Sequence, residues 1–183
     1  DHAAAAVGRV PGHRQHRGPT QRPPQRAREL RVDHRIGCAD VVRATRIATG
    51  EADTLLGCDI VVAVSNDALV KTQTGRTRAI VNTGKAITGD FVRNPDHPFP
   101  LSAMEAQVRE AVGTECTDLF DASRLATLLM GHSIGTNLFM LGYAWQKGLV
   151  PVAGESILRA IEINGAAIEA NKAAFLWGRR AAV

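Results

Sequence analysis

The run from Leu125 to Gln146 contains no Asp, Glu, Lys or Arg, and it restricts the fold of this chain more than any other feature. With its flanks, Ser123 to Pro151, it reads SRLATLLMGHSIGTNLFMLGYAWQKGLVP. Three structures fit such a stretch: a membrane span, the strand–turn–helix around a hydrolase serine, or a helix buried inside a domain. As one helix it would extend about 33 Å at about 1.5 Å per residue, enough to cross a bilayer core. Against a span stand His132, Ser133, Thr136, Asn137 and Gln146, whose polar groups would face lipid without partners. No membrane association is therefore expected.

Gly131-His132-Ser133-Ile134-Gly135 fits the nucleophile-elbow pattern G-x-S-x-G, with Leu125–Met130 as the strand and Thr136–Gln146 as the helix after it. That chemistry needs an acid and then a His downstream of the serine. No His and no Asp follows Ser133, and the remaining acids, Glu155, Glu162 and Glu169, share one predicted helix. A serine hydroxyl without a base is a weak nucleophile, so a hydrolase fragment using Ser133 is the alternative reading. The buried helix fits the spacing better. Gly131, Gly135, Leu138 and Gly142 recur at i, i+4, i+7 and i+11, a stripe that lets another backbone approach, and His132, Thr136, Phe139 and Tyr143 lie beside it. A helix apolar nearly all round is a buried one, and His132 and Asn137 are then expected as hydrogen-bonded core polar groups.

A chain of 183 residues is one domain of ordinary size, long enough to bury a core. Its net charge of +4 is unevenly spread. Residues 1–50 hold ten Arg against Asp1, Glu29, Asp33 and Asp40, while the remainder holds twelve basic and fourteen acidic residues. Any polyanion partner would thus be held by the first segment alone. Residues 1–37 are rich in Pro, Arg and Gln and contain no aromatic residue and no Lys. Such sequence buries too little apolar surface to offset its ordering entropy, and disorder is expected. The functional alternative is an Arg-rich arm binding nucleic acid through phosphates, which the lack of interleaved aromatics disfavours. Cys38, Cys58 and Cys116 form no C-x-x-C pair, so this chain by itself builds neither an iron–sulfur cluster nor a Cys-based zinc site. Three unpaired thiols suit a reduced, cytoplasmic setting. No signal peptide is read, and the start at Asp1 reads as that of a fragment.

From about Ala39 the pattern turns globular. Val42, Ile47, Leu55 and Leu56 give a helical pattern broken at Gly50 and Gly57, and Ile60–Val64 reads as a strand buried on both faces. Ser65 caps a short helix over Ala68–Lys71, and Arg78–Asn82 reads as a second buried strand, so the three make a βαβ unit. The loop Asn82–Asp90 leaves the carboxyl end of that strand, where ligands bind in open parallel sheets. It lacks the P-loop pattern, and an ordinary connection is the competing reading. Asn94–Pro98 and Pro100 continue as loop. Ser102 and Glu105 form a capping box for a helix ending at Gly113. Asp118–Phe120 is a short strand, Asp121 caps the apolar element, and Glu155 to Trp177 reads as one last helix. Within it, Ile161–Gly165 also admits a strand and hairpin turn, but the Ala-rich sequence downstream favours the helix.

Four blocks carry a family resemblance: ATRIATGEADTLLGCDIVVAVSNDAL, RTRAIVNTGKAITGDFVRNPDHPFP, DASRLATLLMGHSIGTNLFMLGYAWQKGLVP and AIEINGAAIEANKAAFLWGRRAA. Together, over residues 39–183, they resemble the gamma-type domain of the 2-oxoacid:ferredoxin oxidoreductases, above all the fused bacterial indolepyruvate enzymes. The resemblance implies an α/β, Rossmann-like three-layer domain. It also implies a parent enzyme that oxidatively decarboxylates aryl 2-oxoacids to acyl-CoA with thiamine diphosphate, Mg²⁺, iron–sulfur clusters and coenzyme A, and passes electrons to ferredoxin. The thiamine and cluster motifs of that family lie mainly on other domains or subunits, the partners implied here. This chain carries neither motif and is expected to bind none of these cofactors alone, acting as a structural and interaction domain. Asn82, Thr83 and Gly84 are the residues expected to face the cofactor side.

The gamma-type domain should open with a strand and a Gly-x-Gly-Gly-x-Gly turn. Gly8, Gly12, Gly18 and Gly37 are instead scattered among Arg, Pro and His. Residues 1–38 are therefore expected to be disordered or aberrant, a frameshifted reading of the missing half. Residues 39–183 then form a partial domain, incomplete in its N-terminal half.

Overall fold

The computed structural model describes residues 46–84 and 99–183 with their side chains, and residues 4–7 as backbone. Three parallel strands form the centre. Thr54–Gly57 (β2) pairs with Arg78–Asn82 (β3), Leu55 opposite Ala79, and β3 pairs with Thr117–Phe120 (β4), Ile80 opposite Asp118. Ala4–Val7 (β1) adds an antiparallel edge strand beside β2, Val7 opposite Thr54. Part of the Arg/Pro-rich segment thus joins the sheet.

Strand alternation sends side chains to two faces, and each face meets helices. Leu55, Ala79 and Val81 point to one side. They pack with Ile60 and Ala63 of the short helix Ile60–Ala63 (α1) and with Val108 and Val112 of Leu101–Val112 (α3). The short helix Asn66–Leu69 (α2) lies between α1 and β3 in the chain. Leu56 and Ile80 point to the other side. They meet Phe139, Met140 and Ala144 of Thr136–Gln146 (α5), Ile157 and Ile161 of Gly154–Asn164 (α6), and Phe175 of Ile168–Ala181 (α7). Ala122–Met130 (α4) joins β4 to α5. The result is the three-layer, Rossmann-like α/β domain.

The first strand of the βαβ unit lies upstream of its expected place. Ile60–Val64 was expected as a strand, yet Ile60–Ala63 is helical and the strand is Thr54–Gly57. A short apolar run does not distinguish a buried strand from a buried helix turn. Asp59 decides it, its carboxylate accepting the Val61 N–H at 2.8 Å as an N-cap. The helical pattern drawn through Leu55 and Leu56 is corrected for the same reason; Val42 lies outside the described residues. The capping box is also absent. The helix begins two residues earlier, after Pro100, so Ser102 sits inside its first turn and Glu105 pairs with Arg109 at 3.2 Å. Its end at Gly113, the strand over Asp118–Phe120 and the Asp121 cap are as expected.

The uncharged run is two helices. Gly131 adopts φ +80° at the end of α4, and the chain turns through His132–Gly135 before α5 starts. His132 and Asn137 are exposed, correcting their expected place in the core, and Ser133 is exposed in the turn. Leu125–Met130 is helix, so the strand a nucleophile elbow requires is not there. Among the described residues no helix is long and apolar enough to cross a membrane. The expected close backbone approach is found on α5. A Cβ on Gly142 would strike the carbonyl oxygen of Phe175, and one on Gly178 the carbonyl oxygen of Phe139. The helix expected from Glu155 to Trp177 is likewise divided, into α6 and α7, at Gly165 with φ +72° and Ala167 with φ +43°.

Candidate functional site

The carboxyl ends of β2, β3 and β4 converge on Asn82, the last residue of β3 and 4% exposed. Its amide Nδ2 donates to the Cys58 carbonyl at 3.0 Å and to Ser123 Oγ at 2.9 Å. Its Oδ1 accepts from the backbone N–H of Gly84 at 3.0 Å, Ala122 at 2.9 Å and Ser123 at 3.4 Å. One side chain therefore ties the turn after β2, the turn after β3 and the first turn of α4 together. A buried amide with both its donors and its acceptor engaged is a structural cross-link.

Thr83 continues the β3–β4 ladder, donating its N–H to the Phe120 carbonyl at 2.9 Å. Gly84 is buried against α4, where an added Cβ would come within 2.7 Å of Asp121 Oδ1 and 2.9 Å of Ser123 Oγ. Asp121 Oδ1 accepts the Arg124 N–H at 2.8 Å. The first amide groups of α4 are thus taken by Asn82 and Asp121, which leaves them unavailable to an anion. Of the loop expected to form the site, residues 85–90 lie outside the described residues, as does Asn94–Pro98.

Cys58 is the one thiol at this edge among the described residues. Burial, and secondarily the Asp59 carboxylate, push its pKa up. It stays a thiol at neutral pH and is a poor nucleophile. Sequence reasoning located Asn82, Thr83 and Gly84 but missed Cys58 and Ser123, which join Asn82 from 24 and 41 residues away. No local spacing signals contacts of that range; Asp121 announced itself only as a cap.

No three His, Cys, Asp or Glu side chains lie together as a metal site among the described residues. The described residues offer no ligand set for an iron–sulfur cluster or a Mg²⁺ ion. An open groove of about 360 Å³ lined by Val64, Asn66, Leu69, Gln107, Glu110 and Ala111 brings together no acid, base and nucleophile. Among the described residues, what Asn82 does at the carboxyl edge is fix backbone.

A parallel, helix-flanked sheet whose carboxyl edge is tied by an asparagine defines a Rossmann-like α/β domain. The particular family follows from sequence comparison. The family model of pyruvate ferredoxin/flavodoxin oxidoreductase matches residues 12–181, and the chain belongs to that family. The match begins upstream of Ala39 and takes in most of the Arg/Pro-rich segment. Comparison with curated proteins and with solved structures yields no match.

Proposed function

We propose that this chain is part of an indolepyruvate-type 2-oxoacid:ferredoxin oxidoreductase, a cytoplasmic enzyme that decarboxylates aryl 2-oxoacids oxidatively to acyl-CoA. Within it the chain is a structural and interaction domain. The observation that carries this reading is the full engagement of Asn82, which commits the sheet edge where ligands usually bind to internal hydrogen bonds. Thiamine diphosphate, Mg²⁺, iron–sulfur clusters and coenzyme A belong to other domains or subunits of the enzyme, and ferredoxin takes its electrons. Asn82, Thr83 and Gly84 hold the edge that faces those parts.

Substrate class is tested on the assembled enzyme by comparing kcat/KM for indolepyruvate, phenylpyruvate and pyruvate, with a viologen dye as electron acceptor. Higher values for the two aryl acids are expected. A preference for pyruvate overturns the aryl assignment while leaving family membership intact.

A further inference from the structure

Arg179 and Arg180 stand in the last turn of α7, and each lays its guanidinium on a tryptophan. Arg179 lies 4.5 Å from the ring centroid of Trp145 on α5 and donates from Nε to Gln146 Oε1 at 3.0 Å. Arg180 lies 4.9 Å from the centroid of Trp177. Neither guanidinium pairs with a carboxylate among the described residues. Arg180 is exposed, and Leu176, at i−4 from it, is 41% exposed, so a cation and an apolar side chain share that face. Higher on the same face Glu169, at i−7 from Leu176, has Lys172 at 3.8 Å. Glu155 follows the Gly154 that packs on Trp145 and pairs with neither arginine. Two full positive charges thus meet only the roughly half negative charge of the helix C-terminus, and this end of α7 carries a positive surplus.

Stacking on a ring holds each guanidinium in place, so its outward N–H groups lose little freedom when they bind. A guanidinium fork fits a planar carboxylate through two parallel hydrogen bonds. It also takes up the ring face that a nucleobase would stack on, which sets these tryptophans apart from a single-strand platform. Tryptophan and arginine are, besides, the side chains that carry most of the binding energy in protein interfaces. We propose that this end of α7 docks on a carboxylate-bearing surface of the thiamine- and cluster-bearing parts of the oxidoreductase, an inference that rests on the function proposed above.

Calorimetric titration of the full chain into those parts, at about 50 mM and about 300 mM NaCl, tests the proposal. Binding should weaken as salt rises. Arg180→Glu should raise the dissociation constant about 100-fold with the urea midpoint of the chain unchanged, because Arg180 is exposed. Arg180→Lys keeps the charge but not the fork and should recover only part of the affinity. Arg179→Ala should also weaken binding and serves as the second variant if Arg180→Glu disturbs folding. Binding indifferent to both Arg180→Glu and Arg179→Ala overturns the proposal and leaves the interaction role of the domain intact. No binding by the unsubstituted chain at either salt overturns both. If Arg180→Glu weakens only the binding of a DNA oligonucleotide, the arginines serve phosphates and the proposal is overturned.

Discussion

Gly142 and Gly178 form a reciprocal contact, each facing a carbonyl of the opposite helix: Phe175 for Gly142 and Phe139 for Gly178. The order of these pairs makes α5 and α7 antiparallel. The absence of two Cβ atoms brings them close enough to seat Phe139 and Phe175, both fully buried, in the core below β2 and β3.

Gly142→Ala and Gly178→Ala should each destabilise the domain by about 3 kcal/mol or more, since a methyl group against a backbone carbonyl cannot be relieved by a rotamer change. Gly131→Ala meets nothing within 4 Å and bears only the strain of its φ of +80°. It should cost about 1–2 kcal/mol. Urea unfolding of the three variants gives the order.

Asn82→Leu should cost about 3 kcal/mol, because the buried N–H groups of Gly84 and Ala122 lose their acceptor together. Ser123→Ala removes one hydroxyl partner of the amide and should cost about 1 kcal/mol. If the two variants prove equally mild in urea titration, Asn82 is not the cross-link described.

Tyr143 should make stability fall in alkali. Its hydroxyl donates to Asp118 Oδ2 at 3.4 Å, and burial, followed by the Asp118 charge and this hydrogen bond, pushes its pKa up to about 12 from an ordinary 10.0. The folded state then holds the proton more tightly than the unfolded chain. The contribution is complete below pH 10 and is lost as pH rises toward 12. Between those values the urea midpoint of the natural protein should drop more steeply than that of Tyr143→Phe.

Cys58 should react slowly with thiol reagents. Because its pKa is raised by burial and then by Asp59, its alkylation rate at pH 8 should lie well below that of a free thiol. Asn82→Leu should speed the reaction by loosening the turn that carries Cys58.

The sequence disclosed those parts of the fold whose signals are local. Arg78–Asn82 shows its burial in its β-branched residues, Gly113 ends a helix, and Asp121 caps the next. Ile60–Val64 misled because a fully apolar run has no period to read, and the first strand moved to Thr54–Gly57. The division of the uncharged run at Gly131–Gly135 was hidden for a related reason: with no charges, nothing marks which of its residues meet water. Half of its glycine stripe was nonetheless correct, Gly135 and Gly142 lying against Ala174 and Phe175 of α7. At the candidate site the sequence pointed to Asn82 by its place after a strand. Its partners come from other strands and only the folded chain joins them.

Under the proposed function, this domain supports a 2-oxoacid oxidoreductase whose reacting groups lie on its other parts. Reduction of ferredoxin by the chain alone, by the thiamine- and cluster-bearing parts alone, and by the two combined tests it most directly, with an aryl 2-oxoacid and coenzyme A supplied. No reduction by the chain alone, and full turnover only in the combination, are expected. Ferredoxin reduction by the isolated chain would contradict it, as would undiminished turnover by the other parts in its absence.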